Sequence, residues 1–394
     1  MRLNLIQYNG FDYMDIDEYL RNFRRILPHS KYREKPSLAK AFFEYSRSIR
    51  LDFIEVFTTN IYPQYITISN KNYLLWDNHY WYLYEHFLSG IKLIISGDTD
   101  SLSGYDFFSG LGMLFMANKF EKNPPLSFVF SKYYVATGLA VPDYSLAKYE
   151  DNEYDKNIFI FSKIFAFFHE VSHHVFNNNK EIKLGIITEF EDITKALSGN
   201  FKKKEMNDVV KNLLEYASPK FLEEMSCDYY ALENSMNFIF SLYKETDIDI
   251  TGDSFNDVFT DDFLTSIRYI LQFQTILYQL GKRYEYILSN DFKTNFLSDE
   301  DFILNTSAEV QGRLNYIFYL SSIVFMKKNI ILIDKHPKYD FPSTEEFKIF
   351  KSAIDFLYNP HLINAIINDY NDIKTKRTNV EFIIAKNLLL NWIN

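Results

Sequence analysis

The chain has 394 residues, 47% of them hydrophobic and 18% aromatic, so it can bury a large core and is not a disordered tail. Its 42 Lys and Arg residues against 52 Asp and Glu residues give a formal net charge of −10, which argues against a nucleic-acid partner bound through its phosphates. The single cysteine, Cys227, excludes an intrachain disulfide.

The N-terminal half is predicted to mix helices with short strands. Three segments are predicted to be helices: Met14 to Leu27, Ser37 to Ile49 and Leu74 to Ile95. Three shorter segments are predicted to be strands: Phe53 to Phe57, Tyr65 to Ser69 and Phe128 to Ala136. Turn-prone residues at 60–63 separate the first two strands and predict that these two pair as a hairpin.

The middle of the chain predicts two long helices with an insertion between them. The first helix, Lys156 to Phe176, is followed by the polar run Asn177 to Asn179, which is expected to end it. Residues 180–207 are mixed and charged and predict a partly helical insertion. The second helix is predicted to begin at Ser218 and Pro219, because serine can cap a helix and proline suits its first turn.

The C-terminal third predicts an acidic loop at 247–262 followed mostly by helices. The longest nearly apolar stretch, Tyr316 to Met326, is shorter than the roughly 20 residues that a bilayer-spanning helix needs. The N-terminal residues contain no apolar run of signal-peptide length. We therefore expect a cytoplasmic protein with no membrane partner.

The sequence HEVSH at 169–173 carries the clearest chemical signal. On a helix, His169 and His173 are four residues apart and lie on one face, so their imidazoles can converge on one metal ion. Glu170 is rotated by about 100° and can lie beside the metal without binding it, where a carboxylate can take a proton from water. This spacing is typical of zinc peptidases.

A second acidic motif, E-M-S-C-D at 224–228, can complete the site. A catalytic zinc usually has three protein ligands and one open position. Glu224 is predicted to be the third ligand, and Asp228, four residues later on the same helix face, is predicted to hydrogen-bond the outer nitrogen of a ligating histidine. Glu223 is the alternative third ligand, but only Glu224 has Asp228 four residues later.

Two residues beside these motifs are not expected to bind the metal. His174 follows the HEVSH motif directly and is predicted to point away from the metal face. Cys227 is predicted to be a small residue packed between helices, with metal binding as its less favoured alternative. The predicted site therefore holds one zinc ion per chain.

The stretches FFHEVSHHVF and FLEEMSCDYYAL resemble the gluzincin metallopeptidases, in which two HExxH histidines and a distal glutamate bind zinc. Within that class, the chain is most similar to the Lit-type phage-exclusion peptidases. The similarity lies in the two motifs and in ITISNKNYLLWDNHYWYLYEHF at 66–87, which resembles that family's strand and aromatic helix. TSAEVQGRLNYI at 306–317 is similar to its arginine-containing segment, so the resemblance covers about residues 50–325.

This resemblance implies a fold and an activity. The expected fold class is α+β, a mostly helical zincin-like metallopeptidase domain with a small N-terminal sheet and a helical C-terminal part. The expected domains are an N-terminal helical segment at 1–50, the metallopeptidase domain at 51–325 and a C-terminal helical segment at 326–394. Family members cut a translation elongation factor during phage infection, which implies a protein substrate, a translation factor among the candidates, and a role in antiviral defence.

In the expected mechanism, zinc polarises the scissile carbonyl, while Glu170 accepts a proton from water and delivers it to the leaving amine. Arg313, His336 and the tyrosines near the site are candidates for the donor that stabilises the oxyanion. Two other functions fit the same motifs: a regulatory metallopeptidase that cleaves a repressor, and a non-catalytic binding protein that contains a metal. Glu170 argues against the second, since a structural metal site needs no general base.

Overall fold

A small sheet lies beside a set of long helices, and the two share an aromatic core. The computed structural model describes residues 16–17, 36–58, 61–95, 102–119, 124–136, 153–200, 219–244, 261–271, 273–274, 277, 365 and 368–372. The strands are β1 (Asp52–Val56), β2 (Gln64–Ile68) and β3 (Lys71–Asp77). The helices are α1 (Pro36–Ser48), α2 (Asn78–Ile95), α3 (Leu102–Lys119), α4 (Pro124–Ala136), α5 (Glu153–Asn178), α6 (Lys180–Asn200) and α7 (Pro219–Lys244). The described part is therefore mostly helical and of the α+β class.

The sheet has the order β1-β3-β2, with β1 parallel and β2 antiparallel to the central strand. The predicted strands β1 and β2 are confirmed, but their predicted pairing as a hairpin is wrong, since both pair with β3. The hairpin instead joins β2 to β3 through Ser69 and Asn70, whose φ angles are 48° and 63°. Two consecutive residues with positive φ make the tight two-residue turn that suits the twist of antiparallel strands.

The strand β3 occupies residues that were predicted to begin a helix at Leu74. Leu74, Leu75 and Trp76 are buried because β3 has a strand on each side and helices against its faces. A fully buried strand has a continuous apolar run, which hydrophobic periodicity does not distinguish from a buried helix. The helix starts only at α2, where Asp77 caps it by accepting the His79 backbone N–H at 3.2 Å.

The predicted strand from Phe128 to Ala136 is also wrong, because these residues form the C-terminal part of helix α4. Ser127, Phe130 and Tyr134 are buried at spacings of three and four, which is the period of a helix face. Pro124 stands at the start of the helix, where its fixed φ angle is favourable. Tertiary burial of one helix face here overrides the β propensity of the aromatic and branched residues.

Helices α5 and α7 pack against each other and form the frame of the site. Both were predicted, and the structure confirms that α5 ends within the asparagine run and that α7 begins at Pro219. Helix α5 is buried almost all round before the HEVSH motif, as expected of a central helix. Its Phe167 ring stacks on Phe42 of α1, with the ring centroids 4.1 Å apart.

Helix α6 covers most of the predicted insertion and packs against both α5 and α7. Asn179 separates it from α5 and caps it, since its side-chain oxygen accepts the backbone N–H of Ile182 at 3.0 Å. The Tyr229 hydroxyl of α7 donates a hydrogen bond of 2.8 Å to Glu189 of α6. The described part of the insertion, residues 180–200, is therefore a helix packed against the two helices that carry the motifs.

Several predictions concern residues outside the described part of the chain. They are most of the helix at Met14 to Leu27, the acidic loop up to residue 260, Arg313, His336 and nearly all of the segment 326–394. Of that last segment, residues 365 and 368–372 are described and are helical. Among the described helices, none has both the length and the apolar character that crossing a membrane requires.

Candidate metal centre

The HEVSH motif lies on helix α5, so its two histidines lie about one turn apart on the same face of the helix. His169 and His173 are both buried, and their rings lie 5.1 Å apart between centroids at an angle of 84°. Glu170, one residue further round the helix, is only partly buried. The ligand atoms of His169, Glu170 and His173 lie within 4.8 Å of one another, and this group could hold a metal ion.

Helix α7 brings Glu224 against both histidines. The Glu224 Oε2 atom lies 3.4 Å from Nε2 of His169 and 3.8 Å from Nε2 of His173. Bonds of about 2.0–2.1 Å to a tetrahedral zinc place two ligand atoms roughly 3.3 Å apart. The first distance is close to that value and the second is about 0.5 Å longer, so the two histidines and Glu224 could hold a metal ion.

Asp228 lies beside the outer nitrogen of His169. Its Oδ1 atom lies 2.8 Å from Nδ1 of His169, and the carboxylate is completely buried. The two atoms are close enough for a charged contact but are not aligned as a regular hydrogen bond. Because an ionised carboxylate can only accept, the contact still favours a hydrogen on Nδ1, which would leave the Nε2 lone pair facing Glu224. Two acceptors facing each other repel unless a cation lies between them. A proton can satisfy one such contact, whereas a metal ion satisfies both histidines at once.

Glu170 is held from the sheet side. The backbone N–H of Tyr65 in β2 donates to Glu170 Oε2 at 2.7 Å. Tyr65 is opposite Leu74 in the register with β3, and its N–H points away from that partner strand towards α5. The edge of the sheet thus fixes one oxygen of the carboxylate that the sequence predicts to be the general base.

The two competing residues point elsewhere. Glu223 forms an ion pair of 2.8 Å with Lys183 of α6, which draws its carboxylate towards that helix. His174 has Nε2 at 2.9 Å from the carbonyl oxygen of Ile49 and Nδ1 at 3.0 Å from the Asn178 amide nitrogen. Its ring is thus occupied by contacts outside the group at His169 and His173, as predicted from its position.

Burial and charge shift the pKa values of two groups on α7. Burial by itself raises the pKa of Glu224, but the positive charge that His173 and His169 can carry acts in the opposite direction, and that pKa lies well below its usual value. For Cys227, burial and the negative charge of Glu224 both raise the pKa of the thiol well above its usual value. Glu224 is therefore an anion at neutral pH and Cys227 is a neutral thiol.

Sequence reasoning missed two contacts of this site. One is the Tyr65 N–H to Glu170, which joins segments far apart in the chain and leaves no pattern in either. The other is Cys227, whose Sγ lies 3.6 Å from Nδ1 of His173. A signal for the second existed, because Cys227 is three residues after Glu224 and so lies on the same face of α7.

Among the tyrosines near the site, Tyr65 is engaged by its own sheet. Its hydroxyl donates to Asn72 Oδ1 at 2.7 Å and lies 3.0 Å from Thr67 Oγ1. This arrangement does not favour the Tyr65 hydroxyl as the oxyanion donor. The other named candidates, Arg313 and His336, lie outside the described residues.

Comparisons of the chain with protein-family models, with curated proteins and with solved structures found no match. The resemblance to Lit-type peptidases therefore rests on the two motifs, the stretch upstream of them and the segment at 306–317. The geometry of the described residues stands independently of that resemblance: two buried histidines on one helix share a buried glutamate on another.

Proposed function

We propose that this protein is a zinc-dependent metallopeptidase of zincin-like fold, with one zinc per chain held by His169, His173 and Glu224. The observation that carries the proposal is the convergence of Glu224 Oε2 on both Nε2 atoms, at 3.4 and 3.8 Å, in a buried place. A metal cation between these atoms would satisfy all three, whereas a proton satisfies only one contact. Nitrogen and carboxylate ligands of this number are typical of a catalytic zinc site.

Glu170 is the proposed general base. When bound, zinc polarises the scissile carbonyl and makes the attacking water more acidic. Glu170 takes the proton from that water and passes it to the leaving amine. The Tyr65 N–H, at 2.7 Å, sets the orientation of the carboxylate before a substrate arrives. Partial exposure of Glu170 beside buried ligands indicates that substrate approaches the site from its side.

The proposed substrate is a protein, and the proposed setting is the cytoplasm during phage infection. Support for this part comes from the similarity of HEVSH and E-M-S-C-D to the motifs of Lit-type peptidases, which makes a translation factor the first substrate to test. A repressor is the alternative substrate, and the same metal centre would serve for it.

The test compares wild type with Glu170→Gln in cells, with and without phage. Glutamine has nearly the shape of glutamate but does not accept the proton, so the variant should fold and keep zinc yet lose hydrolysis. New protein N-termini, measured by proteomics, and cell survival are scored together. We expect a discrete cleavage product and phage exclusion in wild type alone. Equal protection by both forms without any product would show that the protein acts by binding.

A further inference from the structure

We propose that Cys227 is a positioning residue for the metal centre, which holds His173 through its outer nitrogen as Asp228 holds His169. This inference rests on the proposed zinc site. A histidine that binds a metal through Nε2 carries a hydrogen on Nδ1, and that hydrogen needs an acceptor. The Cys227 sulfur lies 3.6 Å from His173 Nδ1 and can act as that acceptor.

The distance and the burial both suit this role. Sulfur is larger than oxygen and a weak acceptor, so its hydrogen bonds are longer than those to a carboxylate. Cys227 has no exposed surface and His173 is buried, so water does not compete for the contact. The sulfur lies at the outer nitrogen of the ring, whereas Nε2 is the atom that faces Glu224. Cys227 is thereby placed beside the ligand rather than among the ligands.

One turn of α7 supplies all three functions. Glu224, Cys227 and Asp228 stand at positions i, i+3 and i+4 and therefore share a face. Glu224 contacts both histidines, Asp228 contacts the outer nitrogen of His169, and Cys227 contacts that of His173. The two supports differ in kind, since one is a carboxylate and the other a thiol that adds no negative charge to a site that already contains three carboxylates.

The experiment compares Cys227→Ala with Cys227→Ser, which have nearly the same volume and differ in the polar atom. Zinc affinity is measured by competition with a chromophoric chelator, and cobalt(II) is used as a spectroscopic probe. We expect Cys227→Ala to lose about 10–100-fold in affinity, as the removal of such outer partners does, and Cys227→Ser to recover most of that loss. Ser226→Ala is the matched control, since Ser226 is equally buried but bonds the Leu222 carbonyl, and should leave affinity unchanged.

Three results would overturn the proposal. Equal zinc affinities of the alanine and serine variants would show that Cys227 contributes only by packing. A cobalt–thiolate charge-transfer band in wild type would make the sulfur a ligand instead. The third result can be obtained even if wild type binds no zinc and the proposed function fails. Nitrogen NMR of the metal-free, histidine-labelled protein reports the tautomer of His173, and the His173→Gln variant assigns its signals. We expect its Nδ1–H form in wild type and a mixture in Cys227→Ala, and an unchanged spectrum would contradict the contact.

Discussion

Asp228 shows how a single buried side chain can control a neighbour. Its carboxylate is 0% exposed and lies 2.8 Å from Nδ1 of His169, so it favours the tautomer that leaves Nε2 for a metal. We predict that Asp228→Ala lowers zinc affinity by about 10–100-fold, and that Asp228→Asn, which keeps an acceptor oxygen, loses less. Isothermal titration with zinc measures both. Unchanged affinity in Asp228→Ala would mean that the carboxylate does not orient the ring.

His174 directly follows the HEVSH motif, but its contacts differ from those of its neighbour His173. Its two ring nitrogens contact the Ile49 carbonyl and the Asn178 amide, so its role is to fasten α5 to the end of α1. We predict that His174→Ala retains one zinc per chain but lowers the free energy of unfolding by about 1–3 kcal/mol, because the partly buried Ile49 carbonyl loses its hydrogen-bond donor. Denaturant unfolding measured beside metal content separates the two effects. Loss of zinc with full stability would contradict this assignment.

At the scale of elements, the aromatic packing beneath α5 keeps the motif in place. Phe167 stacks on Phe42 at 4.1 Å and is completely buried two residues before His169. We predict that Phe167→Ala lowers the free energy of unfolding by about 3–5 kcal/mol, since it leaves a cavity in the core. Leu184 on α6 is 66% exposed, and Leu184→Ser should change stability by less than about 0.5 kcal/mol. Chemical denaturation of both variants tests this, and similar losses would contradict the assigned core.

The sequence predicted the helical elements of the site better than the sheet, for a physical reason. In α5 and α7 the relevant partners are four residues apart, so helix periodicity alone places them on one face. Strand pairing joins segments without a fixed spacing in the sequence. In addition, the apolar run of β3 fits a buried helix as well as a central strand. The turn at Ser69 and Asn70 was missed because neither residue is the glycine that usually marks positive φ.

The same reasoning explains which parts of the site were predicted. Glu224 and Asp228 were chosen together from their spacing, and the structure places both at the imidazoles. The backbone N–H of Tyr65 could not be predicted, because every residue except proline has such a donor and only the fold decides which one meets Glu170. The support of His173 by a thiol was overlooked because cysteine was considered only as a ligand or as packing.

At the scale of the whole molecule, the candidate centre joins three parts of the chain. Strand β2 contacts Glu170, helix α5 carries both histidines, and helix α7 supplies Glu224. Helix α6 is joined to α7 by the ion pair of Lys183 with Glu223 and by the hydrogen bond between Glu189 and Tyr229. A metal ion at this junction would bind only when these elements are in their native arrangement. Metal binding and folding are therefore expected to be coupled.

The central claim is that His169, His173 and Glu224 bind one zinc ion, and metal analysis of purified protein tests it most directly. Wild type should contain about one zinc per chain, as a site with three protein ligands implies. His173→Ala should contain almost none, Glu224→Ala should be strongly depleted, and Glu223→Ala should match wild type, because the Glu223 carboxylate pairs with Lys183. Wild type that neither retains nor rebinds zinc, or a reversed pattern for the two glutamates, would contradict the account.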